Sequence, residues 1–256
     1  MLLQMKNIFL SFGGVQALTN VEINVEKDSL HALIGPNGSG KTCLFNVISG
    51  IYKPQRGEII FKGRDISHTK PFKRAEIGIG RMFQNIELFG KMSVLDNLML
   101  GRHSCFRSGA IASMIWFGRN LREELEHREW VESIIDLLEI ERWRNHPVDT
   151  LPYGVQKRVE LGRAMSIDPA ILLLDEPCAG MNAEETEDIV RFILDINEEW
   201  HKTVLLVEHD MSVVMDICDT VTVLEFGTKI AEGLPKEIQE NQKVINAYLG
   251  ENVDDI

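Results

Sequence analysis

The chain has 256 residues, 44% of them hydrophobic and 26% charged, which suits one large soluble α/β domain or two small ones with a sizeable core. Its 27 basic and 39 acidic residues leave a formal net charge of −12, which argues against a broad nucleic-acid footprint and against direct adsorption to anionic lipid. No apolar run reaches the roughly 18–20 residues that cross a bilayer. Met1-Leu2-Leu3 runs at once into Gln4 and Lys6 with no secretory leader, so a protein of the cytosol or of a cytosolic surface is expected.

Residues 1–30 alternate apolar and polar positions (Ile8, Leu10, Phe12; Val21, Ile23, Val25) and predict strands joined by a Gly13-Gly14 turn. Ser29 to Ile34 reads as a short apolar strand. It enters Gly35-Pro36-Asn37-Gly38-Ser39-Gly40-Lys41-Thr42, which fits the phosphate-loop pattern of glycine, four residues, then Gly-Lys-Ser/Thr. Each residue type has a mechanical task there. Glycines let backbone N–H groups turn inward and approach a phosphate chain. Lys41 brings a point charge to the terminal phosphates, and Thr42 offers a hydroxyl to magnesium. From Thr42 to Ser49 the apolar residues Leu44, Phe45, Val47 and Ile48 fall at helical spacing, with Gly50 as the stop. Strand, loop and helix in this order put a helix N-terminus beneath the phosphates, where its partial positive charge belongs.

Glu58 to Phe61 predicts a further strand, so a small antiparallel sheet is expected beside the phosphate-loop core. Six basic residues (Lys62, Arg64, Lys70, Lys73, Arg74, Arg81) read as a solvated surface. Residues 94–144 read as helical, with Glu123, Glu124, Glu126 and Glu129 interleaved with Arg122 and Arg128 before the apolar face of Val131, Ile134, Ile135, Leu137 and Leu138; Pro147 ends the region. Within it, the run Ile111, Met114, Ile115, Trp116, Phe117 is either core of a helical insert or an apolar surface for a partner or the lipid edge. Ile171 to Leu174 predicts a buried strand, Glu184 to Glu199 a helix, Thr203 to Val207 and Val221 to Glu225 two more strands, and a helical tail follows Pro235. Strands alternating with helices imply a mostly parallel sheet covered on both faces.

Two acidic clusters fall at strand ends. Ile171-Leu172-Leu173-Leu174-Asp175-Glu176 places both carboxylates at the carboxyl edge of a buried parallel strand, where ligands bind in open α/β sheets. Asp175 can hold magnesium through water, and Glu176 can take a proton from an attacking water. The spacing of about 130 residues after a phosphate loop strengthens the reading. His209, in Glu208-His209-Asp210, falls at the same edge. The cysteines Cys43, Cys105, Cys178 and Cys218 and the seven histidines are scattered, with no metal-ligand or redox spacing, and read as ordinary thiols and side chains.

These ordered motifs resemble the ATP-binding subunit of ABC transporters, and the resemblance covers essentially the whole length. It implies a single nucleotide-binding domain: a P-loop NTPase (RecA-like) α/β core with a parallel sheet (1–85 and 165–235), an N-terminal antiparallel β subdomain, an inserted α-helical subdomain (86–164) and a C-terminal helical tail (236–256). ATP and Mg2+ are the implied ligands. Phe12 looks like the aromatic that stacks on adenine, against the alternative of a core strand phenylalanine. Gln84, in Arg81-Met82-Phe83-Gln84-Asn85, looks like the family's glutamine that touches magnesium and relays its state to the helical insert. With Thr42 and Asp175 it completes the implied metal set. Glu176 takes the role of general base, with Lys41 and His209 at the terminal phosphate.

Leu151-Pro152-Tyr153-Gly154-Val155-Gln156 resembles the family signature but departs from the usual Leu-Ser-Gly-Gly-Gln. Pro152 has neither hydroxyl nor N–H, although its preset φ suits the start of a helix. Tyr153, Gly154 and the helix dipole remain to meet the phosphate of an opposite subunit. Asn182, in Cys178-Ala179-Gly180-Met181-Asn182, stands where the family has aspartate in a segment that crosses the dimer interface.

Within the family the likeness is greatest to ATPases of branched-chain amino-acid importers and the related urea or amide importers. It rests on Phe12 to Leu18, the Gln84-to-Leu100 run, Glu176 to Asn182, Ala231-Glu232-Gly233 and Ala247 to Glu251. Lipopolysaccharide-export ATPases share several of these segments, and the altered signature leaves a degenerate ATP-binding regulator as the other alternative. The resemblance implies a head-to-tail dimer with an identical chain or a paralogous ATPase subunit, docked on integral membrane permease subunits. It implies no nucleic-acid partner, membrane contact only through the permease, and a peripheral place on the cytoplasmic side of the bacterial inner membrane.

Overall fold

The computed structural model describes residues 1–105 and 119–251. The apolar run from Ile111 to Phe117 therefore lies outside the described residues. In chain order the elements are β1 (Leu3–Phe12), β2 (Val15–Val25), β3 (Leu30–Ile34), α1 (Lys41–Ile48), β4 (Arg56–Phe61), β5 (Arg64–Asp65), α2 (Pro71–Glu76), β6 (Ile79–Met82), α3 (Val94–Gly101) and α4 (Arg119–Leu137). They continue with α5 (Tyr153–Met165), β7 (Ile171–Asp175), α6 (Ala183–Glu198), β8 (Thr203–Val207), α7 (Met211–Ile217), β9 (Thr220–Glu225), β10 (Thr228–Gly233), α8 (Pro235–Gln239) and α9 (Gln242–Glu251).

Every residue of β3, β7 and β8 is buried, as their continuous apolar runs predict for parallel strands covered on both faces. They are the centre of a six-stranded sheet of order β10-β9-β3-β8-β7-β6, parallel except for the β9–β10 pair. Successive side chains in these strands alternate between two cores. Leu33, Ile171, Leu173, Leu205 and Val207 pack with α1 and the four-stranded antiparallel sheet β2-β1-β4-β5. Ala32, Ile34, Leu172, Leu174, Val204 and Leu206 pack with residues of α3 to α7, among them Leu98, Ile134, Val159 and Phe192. The expected parallel core, antiparallel partner sheet and helices are all present.

The register decides where chemistry can occur. Leu33 of β3 pairs with Val207 of β8, and Asp175 of β7 pairs with the same Val207. The loop after Ile34, the pair Asp175-Glu176 and the pair Glu208-His209 therefore leave the sheet at one carboxyl edge. The strand order also turns back here, because β3 has β8 on one side and β9 on the other. A crevice at such a switch point is where open α/β sheets hold ligands.

Two expectations change. The basic cluster is not uniformly a solvated surface, since Arg74 is 2% exposed and the Arg81 side chain 7%. Arg74 reaches from α2 to the end of α1. It donates to the carbonyls of Val47, Ile48, Ile66, Ser67 and Thr69 at 2.6–3.3 Å. The last turn of a helix leaves such carbonyls without intrahelical partners and carries partial negative charge, so a buried guanidinium fits there. Arg74→Met keeps much of the volume and strands several buried acceptors. It is expected to destabilise the chain by about 3 kcal/mol or more, read as a lower urea midpoint at unchanged m-value.

The second change concerns Pro152. It does not begin α5 as its first helical residue. It sits one position earlier with φ −55 and ψ 152, and Tyr153 opens the helix. The ring's preset φ is compatible with both places, but the extended ψ leaves Pro152 at the cap, where it supplies no side-chain hydrogen bond.

Candidate nucleotide site

The loop from Gly35 to Gly40 joins the wholly buried strand β3 to α1. Gly35 has φ +146, and a Cβ on it would collide with the Leu224 carbonyl of β9, so only glycine fits. Gly40, at φ +103, caps α1. The β9–β10 turn braces the loop from outside, with Gly227 N donating to Ser39 O at 3.0 Å. Lys41 is 6% exposed, and its ammonium lies inside the loop, donating to Gly35 O at 2.6 Å and Pro36 O at 2.9 Å. The Ser39 hydroxyl is buried with no hydrogen-bond partner among the described residues. Asn37, Gly38 and Thr42 are exposed at the loop's mouth and the first turn of α1. The glycine cradle, an enclosed cation and an orphaned hydroxyl fit a polyphosphate.

Asp175 closes β7 and is 2% exposed. Its Oδ2 accepts from Arg81 Nη2 at 3.2 Å, while Oδ1 is buried with no partner among the described residues. Burial pushes the Asp175 carboxyl above its ordinary value, and the Arg81 guanidinium opposes the shift. A desolvated carboxylate with one free oxygen suits a hydrated divalent cation, so the donor set fits magnesium.

Glu176 leaves the strand in the left-handed region, at φ +52, with its N–H bonded to Val207 O. A non-glycine residue held this way is worth attention near a functional site. Its carboxylate is gripped on both oxygens. Gln84 Nε2 donates to Oε2 at 2.7 Å, and His209 Nε2 meets Oε1 at 2.8 Å. The chain thus brings together three residues 33 and 92 positions apart that the sequence reading proposed for one site. The Gln84 side chain, proposed for the metal, here serves the Glu176 carboxylate.

Glu208 was missed. It is 5% exposed, and its carboxylate accepts from Cys178 N at 2.9 Å and His209 N at 3.1 Å. One buried side chain therefore fixes both the turn after Glu176 and the segment that carries His209. Burial, followed by the neighbouring Glu208 charge, pushes the Cys178 thiol up, which keeps it an inert neutral group. The available signal was an acidic residue directly after an all-apolar strand.

The signature segment meets the segment after Glu176. Tyr153 Oη donates to Ala179 O at 3.1 Å, and its ring covers Gly180. Gly154 is buried, and a Cβ there would strike the Glu185 carboxylate. Asn182 caps α6, its side chain accepting from Glu185 N at 3.0 Å while Glu185 returns a bond to Asn182 N at 3.1 Å. Further along α5, Lys157 donates to the Gln84 carbonyl at 2.8 Å from a fully buried position and lies 3.9 Å from Glu160. Burial raises the Glu160 carboxyl to about 7. Phe12 ends β1 at the sheet margin, 45% exposed, with Tyr52 edge-on at 5.0 Å. The ring is thus partly exposed at the sheet margin.

The sequence profile described as "ABC transporter" matches residues 18–179, more than half of the chain. The chain belongs to the ABC transporter family. A second profile, described as "Branched-chain amino acid ATP-binding cassette transporter", matches residues 228–254 of this ABC chain. The high-affinity branched-chain amino acid transport ATP-binding protein BraF of Pseudomonas aeruginosa is 38% identical over 250 residues, covering 98% of both chains. The corresponding LivG of Escherichia coli K12 is 38% identical over 254 residues, again covering 98% of both. Among solved structures, the ADP conformation of an ATP-binding cassette of an ABC transporter aligns at TM-score 0.84 and 32% identity, covering 97% of this chain and 98% of that one. A cassette dimer in a post-hydrolysis state with ADP and Pi aligns at TM-score 0.76 and 26% identity, covering 91% and 98%. The P-loop NTPase fold expected from the motifs is the fold of these neighbours. No helix among the described residues is long and apolar enough to cross a membrane.

Proposed function

We propose that the chain is the ATP-hydrolysing subunit of an importer for branched-chain amino acids or a related small polar solute such as urea or an amide. The observation that carries the hydrolytic part is the Glu176 carboxylate, held by Gln84 and His209 at the strand edge that also bears the phosphate loop. The likeness to BraF and LivG over 98% of each chain supports the solute class.

In this reading the loop amides and Lys41 hold the β- and γ-phosphates, and the half-exposed Phe12 ring stacks on adenine. Thr42, Asp175 and Gln84, the last after leaving Glu176, would hold magnesium, which would supply Lewis-acid neutralisation of phosphate charge. Glu176 takes one proton from a water whose oxygen attacks the γ-phosphorus. The bond from that phosphorus to the β–γ bridging oxygen breaks, leaving ADP and inorganic phosphate. His209 holds Glu176 in place and faces the transferring group. The carboxylate oxygen can only accept, so His209 Nε2 carries a proton and donates it in this bond.

The site is assigned to a head-to-tail pair, with an identical chain or a paralogue, in which α5 of one subunit presents Tyr153 and Gly154 to the phosphate of the other. Tyr153 bridges to Ala179 on its own chain, so the two segments move as one surface. Triphosphate favours closure of the pair, and loss of the γ-phosphate favours opening, which couples hydrolysis to the permease. The chain then sits on the cytoplasmic face, attached through the permease alone.

A groove of about 350 Å3 supports the permease contact. Its walls include Ile51, Phe83, Phe89 and Leu100, with Phe89 and Leu100 54% and 41% exposed. Such a groove fits the apolar side of a short helix. Phe89→Asp puts a charge on this wall at a site already half in water, so folding is expected to hold while permease association falls about tenfold or more. Purification from the native membrane in mild detergent tests the proposal. A hydrophobic permease should accompany the wild type, and its replacement by ribosomes or DNA would overturn the reading.

A further inference from the structure

Arg81 joins the Asp175 carboxylate to the apolar groove. It lies on β6, opposite Leu173 of β7, and reaches forward to Asp175. Its Nη2 donates to Asp175 Oδ2 at 3.2 Å, and its Nη1 donates to Asn46 Oδ1 at 2.7 Å and Ser49 Oγ at 2.8 Å. Both of those acceptors are on the α1 side of the sheet, Asn46 within the helix and Ser49 at its C-cap. Phe83 lies 4.6 Å from the guanidinium carbon and Phe45 5.9 Å, ring centroid to carbon. Ser49, Arg81 and Phe83 also line the apolar groove.

We propose that Arg81 is a positioning residue for Asp175 and the physical link through which the groove acts on the magnesium carboxylate. The inference rests on the reading of Asp175 as a metal-holding group. A planar guanidinium suits this place better than an ammonium, because its fork spans two elements at once and its face stacks on a ring. By binding Oδ2 it fixes the carboxylate's rotation and leaves Oδ1 as the oxygen for hydrated magnesium. By binding Asn46 and Ser49 it ties that rotation to α1, whose first turn carries Lys41 and Thr42. The Phe83 ring limits how far the guanidinium can withdraw. An occupant seated against Phe83 therefore bears on the group that aims Asp175.

The test uses the isolated full chain and a non-hydrolysable ATP analogue, and reads affinity by calorimetry with Mg2+ and with EDTA. The ratio of the two affinities is the magnesium increment. Arg81→Met is expected to cut the increment about tenfold, and Arg81→Met with Asp175→Asn to cut it no further than Asp175→Asn alone. That non-additivity reports a shared pathway, which a purely structural arginine does not produce. Phe83→Ala is expected to cut the increment about threefold. Should Arg81→Met fail to fold, Arg81→Lys carries the test, since one ammonium cannot hold Asp175, Asn46 and Ser49 in the same planar geometry; a loss of about threefold is expected. A wild-type increment in the folded Arg81 variants overturns the positioning role, and one in Phe83→Ala overturns the link to the groove. A wild type with no increment, or an Asp175→Asn variant that keeps the full one, sinks the metal reading of Asp175 instead, so the two failures are distinguishable.

Discussion

Glu176→Gln is expected to slow ATP hydrolysis by about a hundredfold or more, or roughly 2.7 kcal/mol in the barrier, while nucleotide binding persists. The expectation follows from what the amide can and cannot keep. Its remaining oxygen can still accept from Gln84 Nε2, which donates to Oε2 at 2.7 Å in the carboxylate form. Its NH2 can donate to His209 Nε2, now 2.8 Å from Oε1, if the imidazole carries its proton on Nδ1 instead. The three-residue arrangement therefore survives by a tautomer change. The left-handed turn at residue 176 also survives, because it is held by a backbone bond to Val207 O. What is lost is the carboxylate's charge and, with it, the capacity to take a proton. Single-turnover hydrolysis, with binding measured on the same material, checks this. Turnover equal to the wild type would remove Glu176 as the base. A wild type that binds ATP but never hydrolyses it would instead favour a degenerate regulator.

Much of this site was legible because its parts are local. The strand Leu30–Ile34, the glycine loop and α1 form one continuous stretch, and so do β7 and its two carboxylates. Continuous apolar runs ending in glycine or acid give strand, edge and ligand side in one reading. The missed features are those that need contacts between distant segments. β6 is four residues with Gly80 inside it, a weak strand signal; the glycine lets the Ala164 carbonyl approach where a Cβ would lie 2.8 Å away. Arg74 and Arg81 look like surface charges in sequence, yet one meets the open carbonyl end of α1 and the other the Asp175 carboxylate. Nothing in their own segments announces those acceptors. Glu208 carried a faint signal as an acid after an apolar strand, but its task depends on Cys178, 30 residues away. Asn182 shows the opposite case. Its pattern of asparagine followed three residues later by glutamate is a helix-start signature, and α6 begins there with both reciprocal bonds formed. Replacement of an aspartate by asparagine at this place keeps the cap, since both side chains serve equally as N-cap acceptors.

Lys41→Ala is expected to weaken ATP binding by about a hundredfold, measured by calorimetry in the presence of Mg2+. The ammonium is almost wholly enclosed, and among its partners are the carbonyls of Gly35 and Pro36, the loop's own first residues. These neutral acceptors hold the cation at the centre of the cradle until a better partner arrives. A phosphate oxygen is that partner, because charge-assisted bonds are roughly twice as strong as neutral ones. Exchange of two neutral acceptors for phosphate oxygens in a poorly solvated loop supplies on the order of 3 kcal/mol, which corresponds to about two decades in affinity. The cost to folding is smaller, about 1 kcal/mol, since the bonds to the loop carbonyls are to neutral acceptors and Gly35 to Gly40 keep their contacts with Leu224 and Gly227. Binding and stability should therefore separate: a large loss of affinity with a melting temperature shifted by a few degrees. Equal affinity in Lys41→Ala would show that the loop holds nucleotide without its cation, and the charge argument that joins the phosphate loop, Asp175 and Glu176 into one site would fail with it.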